Sequence, residues 1–244
     1  MKAKIMSHMV SFYPDRELSI DVARALIDGG SSYLEIQFPF SDPAADGKYI
    51  QEACSTALRK GFKVRFGFEL VRKLKSLTDI PVFIMGYANT VLFHGVKKFL
   101  EECVKAGVHG LIIPDLPPGY DENLFTLGND AGIHIVPVIA PWVADSRLDM
   151  ILSVRPEYVY AVLRKGITGD YTVIGEDNLG FLKKIGQYNV KILAGFGIST
   201  KYQVAALSPY VHASIVGTAF IREIKENSSK SPYDAVAKKI KDLL

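Results

Sequence analysis

Short apolar runs alternate with amphipathic stretches along the whole chain. Each run is bounded by Gly, Pro or Asp and is too short for a helix, which is typical of buried parallel strands. Eight such runs predict strands at residues 5–11, 33–37, 82–87, 110–113, 134–139, 158–163, 191–194 and 213–216. The stretches between them repeat apolar residues at helical spacing. One predicted helix, for example, has an apolar face made of Val96, Phe99, Leu100, Cys103 and Val104.

This alternation of eight strands with helices over 244 residues predicts an α/β fold, a single (β/α)8 TIM barrel. Such barrels typically have roughly 250 residues. No linker or low-complexity tract divides the chain, so we expect one TIM-barrel catalytic domain over residues 1–244. A doubly wound open sheet is the alternative, but it usually has fewer strands and would be expected to carry a GxGxxG motif after the first strand. This sequence has no such motif there.

Composition narrows the classes of function. With 48% apolar residues the chain can bury a large core, which excludes a disordered protein. The net charge of +3 comes from Lys and Arg residues spread along the chain, so we expect no nucleic-acid partner. No stretch approaches the ~18 consecutive apolar residues of a membrane span, and the first residues do not form a signal-peptide pattern. We therefore expect a cytoplasmic protein without a membrane partner.

The cysteines and histidines do not predict a metal site. Cys54 and Cys103 form no CxxC motif and fall in helical patterns, so we expect two buried thiols. The five histidines never form an HExxH pattern. We therefore expect no metal in this protein.

Two carboxylates near the second predicted strand are the first candidates for chemistry, because catalytic groups of a barrel lie at the carboxyl ends of its strands. Alternation along residues 33–37 places Leu34 and Ile36 toward the helices and Glu35 toward the barrel interior. A carboxylate there must join a buried ion pair or hold a proton, and the sequence leaves both possibilities open. Asp46 follows in the next loop, so Glu35 and Asp46 form a candidate acid–base pair at one mouth of the barrel.

The segment at residues 35–47 reads Glu-Ile-Gln-Phe-Pro-Phe-Ser-Asp-Pro-Ala-Ala-Asp-Gly and closely resembles the signature of the tryptophan synthase alpha chain family. Further motifs match that family in order: Tyr-Ala-Asn at 87–89, Pro-Asp-Leu-Pro at 114–117, and glycine clusters at 166–169, 195–198 and 217–219. The resemblance covers nearly the whole chain. It implies a lyase that cleaves indole-3-glycerol phosphate into indole and glyceraldehyde 3-phosphate, in the last steps of tryptophan biosynthesis.

The resemblance also implies roles for individual residues. Glu35 is expected to transfer protons, and Asp46, on a wetter loop, to stay ionised and stabilise the cationic indole ring. Backbone N–H groups at glycine-rich turns are expected to hold the phosphate, and Thr168 to reach toward Asp46 when its loop closes. The expected substrate-binding residues are Tyr87, Tyr160, Thr168, Gly169, Gly197, Gly217 and Thr218.

Cofactor and partner follow from the same resemblance. It implies no cofactor in this chain and a partner that carries pyridoxal phosphate, the tryptophan synthase beta chain. The two are expected to form an alpha2beta2 heterotetramer in which the beta chain docks at the barrel mouth. We expect low activity of the chain alone and a large gain when the beta chain is added.

Several positions depart from the family pattern. Gln37 and Phe12 stand where the family usually has glycine, Lys48 replaces a usual proline, and Trp142 replaces a commoner threonine. The sequence also starts almost directly at the first strand, so we expect a barrel that lacks the family's extra N-terminal helix. Glu35 and Asp46 themselves match the pattern.

Two other functions stay open at this point. An isomerase or aldolase acting on a different sugar phosphate would need a Schiff-base lysine or another base at a strand end, and the nearest candidates are Lys165 and Lys191. A non-catalytic activator of a beta chain would follow if Gln37 and Lys48 marked a degenerate site. The intact Glu35 and Asp46 argue against the second alternative.

Overall fold

The computed structural model describes residues 3–164, 166, 171–227 and 231–244, in which parallel strands alternate with helices. The strands are β1 Ile5–Val10, β2 Tyr33–Gln37, β3 Val82–Met85, β4 Gly110–Ile112, β5 His134–Val136, β6 Val138–Ile139, β7 Tyr158–Val162, β8 Lys191–Gly195 and β9 Ala213–Val216. The helices are α1 Leu18–Gly29, α2 Lys48–Arg59, α3 Val64–Lys75, α4 Ala88–His94, α5 Val96–Ala106, α6 Leu124–Asp130, α7 Asp145–Ser153, α8 Glu176–Gly186, α9 Lys201–Leu207, α10 Thr218–Glu226 and α11 Tyr233–Leu243.

The strands form one parallel sheet in the order β5-β4-β3-β2-β1-β9-β8-β7-β6. Strands β5 and β6 are two halves of the strand expected at residues 134–139, so the prediction of one continuous strand there is wrong. Pro137 separates them because proline has no backbone N–H for the ladder. Since β5 pairs with β4 and β6 pairs with β7, the sheet curls round and meets itself at Pro137. The (β/α)8 barrel is thereby confirmed, and the open doubly wound sheet is wrong.

Apolar side chains form two layers, one on each side of the strands. The outer layer lies between strands and helices and includes Leu34 and Ile36. The inner layer fills the barrel and includes Met6 and Phe83. Because side chains alternate along a strand, Glu35 points into the barrel, as predicted. The thiols of Cys54 and Cys103 are both buried, also as predicted.

Aromatic side chains close the amino-terminal end of the barrel. The ring of Phe83 meets the rings of Tyr33 and Tyr158 edge-on, with centroids 6.2 Å and 5.4 Å away. The hydroxyl of Tyr33 lies 2.6 Å from Nε2 of His212 in the same floor. These rings fill the amino-terminal end of the barrel, and the cavity described below lies at the carboxyl ends of the strands.

Phe12 has a left-handed backbone conformation, with φ of 68°. A glycine reaches this region without strain, whereas a residue with a side chain loses about 1–2 kcal/mol there. The ring is nevertheless buried and stacks on Phe66 with 5.5 Å between centroids, and it meets Phe62 edge-on at 5.7 Å. Aromatic packing thus offsets backbone strain at a position where the family resemblance leads us to expect glycine.

We expect Phe12→Ala to lower the free energy of unfolding by roughly 3–5 kcal/mol, through loss of the buried ring. Phe12→Gly should be about 1 kcal/mol more stable than Phe12→Ala, because glycine also removes the backbone strain. Urea denaturation measures both values. Phe62 is equally buried but has no positive φ, so there the glycine variant should be no more stable than the alanine variant. An alanine variant at position 12 that equals or exceeds the glycine variant contradicts this account.

Candidate active site

A cavity of about 430 Å³ opens at the carboxyl ends of the strands. The structure brings most of the predicted site residues to its wall, from four different strands or the loops that follow them. These residues are Glu35, Asp46, Tyr160, Gly197, Gly217 and Thr218. Thr168 and Gly169 lie outside the described residues.

Glu35 lies in the middle of β2, and its register partner on β1 is His8. The Nδ1 atom of His8 is 3.1 Å from Oε2 of Glu35, and the two residues are only 5% and 2% exposed. Burial acts to lower the pKa of His8 and is the largest single influence. The attraction of Glu35, its hydrogen bond and the charge of Asp46 together raise that pKa above its usual value. The structure thus gives Glu35 a buried hydrogen-bond partner, and this contact is compatible with both possibilities that the sequence left open.

The sequence did not reveal His8 as the partner of Glu35 in the cavity wall. It appeared there only as one of five scattered histidines. The signal available was its position on the strand next to Glu35 in a barrel. Without the register of β1 against β2, that position did not show which residue His8 would face.

Asp46 is held by two side-chain donors at the mouth of the barrel. Its Oδ2 atom accepts hydrogen bonds from Nε2 of Gln37 at 2.7 Å and from the hydroxyl of Tyr87 at 2.8 Å. The backbone N–H of Asp46 bonds to the carbonyl of Pro43 at 3.0 Å, so a tight turn directs the carboxyl inward. The expectation of a wetter position is wrong, because the residue is only 3% exposed.

Burial raises the pKa of Asp46 above its usual value, since water no longer solvates the carboxylate. The positive field of His8 and the hydrogen bonds from Gln37 and Tyr87 act in the opposite direction and favour the ionised form. The charge of Glu35 adds to the rise. The ionised state of Asp46 thus depends on donors that the protein supplies, and not on solvent.

Gln37, like Phe12, is a departure from the family pattern that the structure explains. It ends β2, two residues after Glu35, and its side chain is buried. Besides Asp46, its amide nitrogen approaches Sγ of Cys54 at 3.5 Å. A side chain in place of the expected glycine therefore supports the second carboxylate directly.

The two tyrosines predicted to bind substrate occupy different places. Tyr160 on β7 lines the cavity, and its ring meets Phe196 edge-on with 6.0 Å between centroids. Tyr87 is buried behind Asp46, where its hydroxyl also accepts the backbone N–H of Ala45 at 3.1 Å. The contacts of Tyr87 are those of a residue that holds the loop, and its contact with substrate stays a prediction.

The far end of the cavity is formed by the turns that follow β8 and β9 and by side chains of the helices after them. Gly197, with φ of 78°, follows β8, and its carbonyl accepts hydrogen bonds from the N–H of Thr172 at 3.1 Å and from Nε2 of Gln203 at 2.8 Å. Gly217 is the N-cap of the nine-residue helix α10, which begins at Thr218. The first N–H groups of a helix have no partner within it and favour an anion. The predicted phosphate subsite therefore has donors available at this end.

A sequence profile matches residues 1–242 of this chain, almost its full length, and it describes the tryptophan synthase alpha chain. The chain belongs to the tryptophan synthase alpha chain family. Members of this family are lyases. The reaction of this family is the cleavage of indole-3-glycerol phosphate in tryptophan biosynthesis.

Individual relatives agree with this membership. The tryptophan synthase alpha chain of Helicobacter hepaticus is 40% identical over 237 residues, which cover 94% of this chain and 89% of that protein. The alpha chain of Christiangramia forsetii is 34% identical and covers 98% of this chain and 95% of its own length. A solved tryptophan synthase complex from Pyrococcus furiosus superposes with a TM-score of 0.88 at 28% identity, covering 98% and 97% of the two chains. The tryptophan synthase of Mycobacterium tuberculosis gives a TM-score of 0.90 at 26% identity, covering 99% and 91%.

Other kinds of site find less support in the part of the chain that the structure describes. Within it, no three His, Cys, Asp or Glu side chains are grouped so that they could hold a metal ion. Nor does any helix there have both the length and the apolar character needed to span a membrane. Lys191 begins β8 at the opposite end of the barrel, where its Nζ bonds to Oε1 of Glu157 at 2.6 Å. This hydrogen bond raises the pKa of the Lys191 amine, the opposite of what a Schiff-base lysine needs, and Lys165 lies outside the described residues.

Proposed function

We propose that Glu35 and Asp46 cleave indole-3-glycerol phosphate in this cavity, and that residues 1–244 form a single catalytic domain. The observation that carries the proposal is that each of the two carboxyl groups has one oxygen held by the protein and one oxygen left for a ligand. Each uses one oxygen in side-chain hydrogen bonds, Oε2 of Glu35 and Oδ2 of Asp46. The other oxygen of each, Oε1 or Oδ1, has no hydrogen-bond partner among the described residues. Both residues line one cavity, so both oxygens are available to a single ligand.

The reaction needs one proton delivered and one proton removed. Glu35 in its acid form gives a proton to indole C3, which leaves positive charge on the ring nitrogen. The Glu35 carboxylate then takes the proton of the glycerol hydroxyl beside the breaking bond. The electron pair of the carbon–carbon bond returns to the indole ring, and the hydroxyl oxygen forms the aldehyde. Indole and glyceraldehyde 3-phosphate leave, and Glu35 is again protonated.

Asp46 stabilises the intermediate state of this sequence. Its Oδ1 accepts the indole N–H, and its negative charge balances the positive charge that appears on the ring. Because the site is buried, this attraction is screened less than it would be in water. The donors Gln37 and Tyr87 hold the carboxylate in place before the substrate arrives, so little reorganisation is needed during the reaction.

The phosphate of the substrate binds at the opposite wall of the cavity, to N–H groups at Gly197, Gly217 and Thr218. Gly169 and Thr168 are assigned to the loop that closes over this group and toward Asp46, on the family resemblance alone. Arg222 and Lys239 also line the cavity beyond Thr218. Neither side chain has a primary role in holding the phosphate, because helix and turn N–H groups suffice for this.

A crystal soaked in phosphate or sulfate should show the anion against Gly197, Gly217 and Thr218. We expect backbone nitrogens at roughly 2.7–3.2 Å from the anion oxygens. An anion bound chiefly by Arg222 or Lys239 would contradict the backbone assignment. A soak of the Thr218→Val variant serves as a control, since it keeps the N–H and should keep the anion.

We also assign this chain no cofactor of its own, because acid–base chemistry by two carboxyl groups accounts for the whole reaction. Its proposed partner is the pyridoxal-phosphate-dependent beta chain, in an alpha2beta2 assembly in the cytoplasm. One structural relative is described as the tryptophan synthase a2b2 complex from Pyrococcus furiosus, with a TM-score of 0.89 at 30% identity. Exposed aromatic side chains follow three strands at the cavity end of this barrel and are available for such a contact: Phe93, Tyr120 and Trp142.

The test is indole release from indole-3-glycerol phosphate by the purified chain, with and without an added beta chain. We expect slow release by the chain alone and a large increase with the partner. Thr168→Val should weaken that increase if closure of its loop controls the site. Activity that is maximal without a partner and unchanged by Thr168→Val would contradict the proposed regulation, and no release under either condition would contradict the proposed reaction.

The two alternatives from the sequence have less support. Among the described residues, no lysine at the carboxyl end of a strand lines the cavity: Lys191 lies at the other end of the barrel in an ion pair, and Lys239 reaches the cavity from helix α11. The non-catalytic activator rested on Gln37 and Lys48 as marks of decay. Gln37 instead donates a hydrogen bond to Asp46, which supports an active site that is adapted and intact.

A further inference from the structure

His8 lies on the inner face of β1 and lines the cavity beside Glu35. Most other side chains of the inner layer are apolar or aromatic, such as Met6, Phe83 and Ile215. Burying a polar ring in such surroundings is unfavourable unless its nitrogens find partners. An aromatic ring without nitrogens would fill the same space at no such loss. The presence of a histidine here therefore calls for a reason other than packing.

Its single side-chain hydrogen bond supplies that reason. His8 and Glu35 are register partners on adjacent parallel strands, which fixes their side chains on the same face. Nδ1 of His8 meets Oε2 of Glu35 at 3.1 Å, while Nε2 is buried without a partner among the described residues. When Nδ1 carries a hydrogen, the imidazole donates it to the carboxyl group whether the imidazole is neutral or positively charged. In its neutral form, Nε2 then carries no hydrogen that would need a partner.

The ring is also held from its other side. A Cβ atom placed on Gly217 would lie 3.1 Å from Cδ2 and 3.2 Å from Cγ of His8, so the imidazole rests directly on the backbone of that glycine. Two ionisable groups act on His8, namely Glu35 from β2 and Asp46 from the loop after it. From the side of β9 the neighbouring groups that the structure shows, Ile215 and the backbone of Gly217, carry no charge. His8 is therefore clamped between the proton-transferring carboxyl group and the turn assigned to phosphate.

We propose that His8 is a positioning residue for Glu35. Its Nδ1–H binds Oε2, fixes the rotation of the carboxyl group and leaves Oε1 as the atom that exchanges protons with the substrate. His8 lines the cavity but acts through the carboxyl group of Glu35, and the reaction leaves its own proton in place. This inference rests on the proposed function of Glu35 and adds a residue that neither the sequence motifs nor the family resemblance assigns.

Two substitutions at position 8 separate the hydrogen bond from the shape of the ring. His8→Phe keeps an aromatic ring and removes the donor, whereas His8→Asn places an amide N–H near the position of Nδ1–H. For indole release we expect His8→Phe to lower kcat about tenfold or more, the effect of losing a hydrogen bond to a charged group, and to change KM by less than about threefold. His8→Asn should recover most of kcat. The matched control is His212→Phe, which removes a buried hydrogen bond at the other end of the barrel and should leave kcat unchanged.

Two further measurements distinguish a positioning role from a structural one. In a Glu35→Gln background, His8→Phe should cause almost no additional loss of the residual activity, because His8 acts only through Glu35. In an NMR titration of the folded protein, Glu35→Gln should lower the pKa of His8, since the main group that raises it becomes neutral. This titration needs no variant at position 8 and so applies even if His8→Phe fails to fold.

The outcomes separate this inference from the proposed function. If wild-type protein releases indole, Glu35→Gln does not, and His8→Phe keeps full kcat, the role of His8 is wrong and the proposed function stands. An equal loss from His8→Phe with and without Glu35, or no recovery in a folded His8→Asn variant, also overturns it. If the wild-type protein releases no indole with its partner present, or Glu35→Gln is fully active, the proposed function itself fails.

Discussion

Glu35→Gln lowers kcat for indole release by roughly 10²–10⁴-fold, the usual contribution of general acid–base catalysis, and leaves KM within a few-fold. Glutamine keeps the size of the side chain, and its oxygen still accepts the Nδ1–H of His8, so the fold and the cavity are retained. What it loses is the ability to give a proton to indole C3 and to take one from the glycerol hydroxyl. Steady-state kinetics of the purified chain with its partner measures the effect.

The control for this variant is Glu157→Gln, which removes a carboxylate at the amino-terminal end of the barrel, beside Lys191. That variant should keep normal kcat. Turnover of Glu35→Gln within about threefold of the wild type would show that another group transfers the protons, because such a residual rate exceeds what the loss of general acid–base catalysis allows.

Asp46→Asn has the second large effect, a fall in kcat that clearly exceeds any rise in KM. The amide fills the same space and still accepts from Gln37 and Tyr87, but it carries no charge to balance the protonated indole ring. We expect a fall of roughly 10²–10³-fold, the range seen when one group that stabilises transition-state charge is removed. Asp42→Asn, an exposed carboxylate of the same loop, is the control and should leave kcat unchanged.

Asp46→Asn should lose activity without losing stability, because its free energy of unfolding at pH 7 should stay the same or rise. Burial raises the pKa of Asp46 in the folded state, so the folded protein binds more protons than the unfolded chain between the two pKa values. The contribution of this carboxyl to stability is therefore present at low pH and lost as the pH rises through the folded-state pKa. At pH 7 the buried charge destabilises the fold, and Asp46→Asn should unfold at the same or a higher urea concentration. A rise in KM alone, or a clear loss of stability at pH 7, would contradict these assignments.

The barrel fold was predictable because it follows from the spacing of apolar residues along the sequence and from the length of the chain. Strands β2 and β9 have the predicted bounds, since each is an apolar run closed by clear turn signals. The inward direction of Glu35 followed from alternation on β2 alone. At residues 134–139 the same reasoning failed, because the apolar pattern continues through Pro137 while the hydrogen-bond ladder does not.

The site was predictable only in part, because motifs identify residues but not their contacts. The resemblance assigned Glu35 and Asp46, yet the burial of Asp46 depends on a turn and on donors from two other elements. His8 could not be paired with Glu35 before the register of β1 against β2 was known. Gln37 was recorded as a departure from the family, and only its distance to Asp46 shows what its side chain does.

A structure of the Glu35→Gln variant with indole-3-glycerol phosphate bound tests the central claim most directly, because this variant should bind substrate without cleaving it. We expect the indole N–H within roughly 2.7–3.2 Å of Oδ1 of Asp46, indole C3 beside the side chain at position 35, and the phosphate on the backbone of Gly197 and Gly217. An indole ring whose N–H points away from Asp46, or C3 out of reach of position 35, would contradict it.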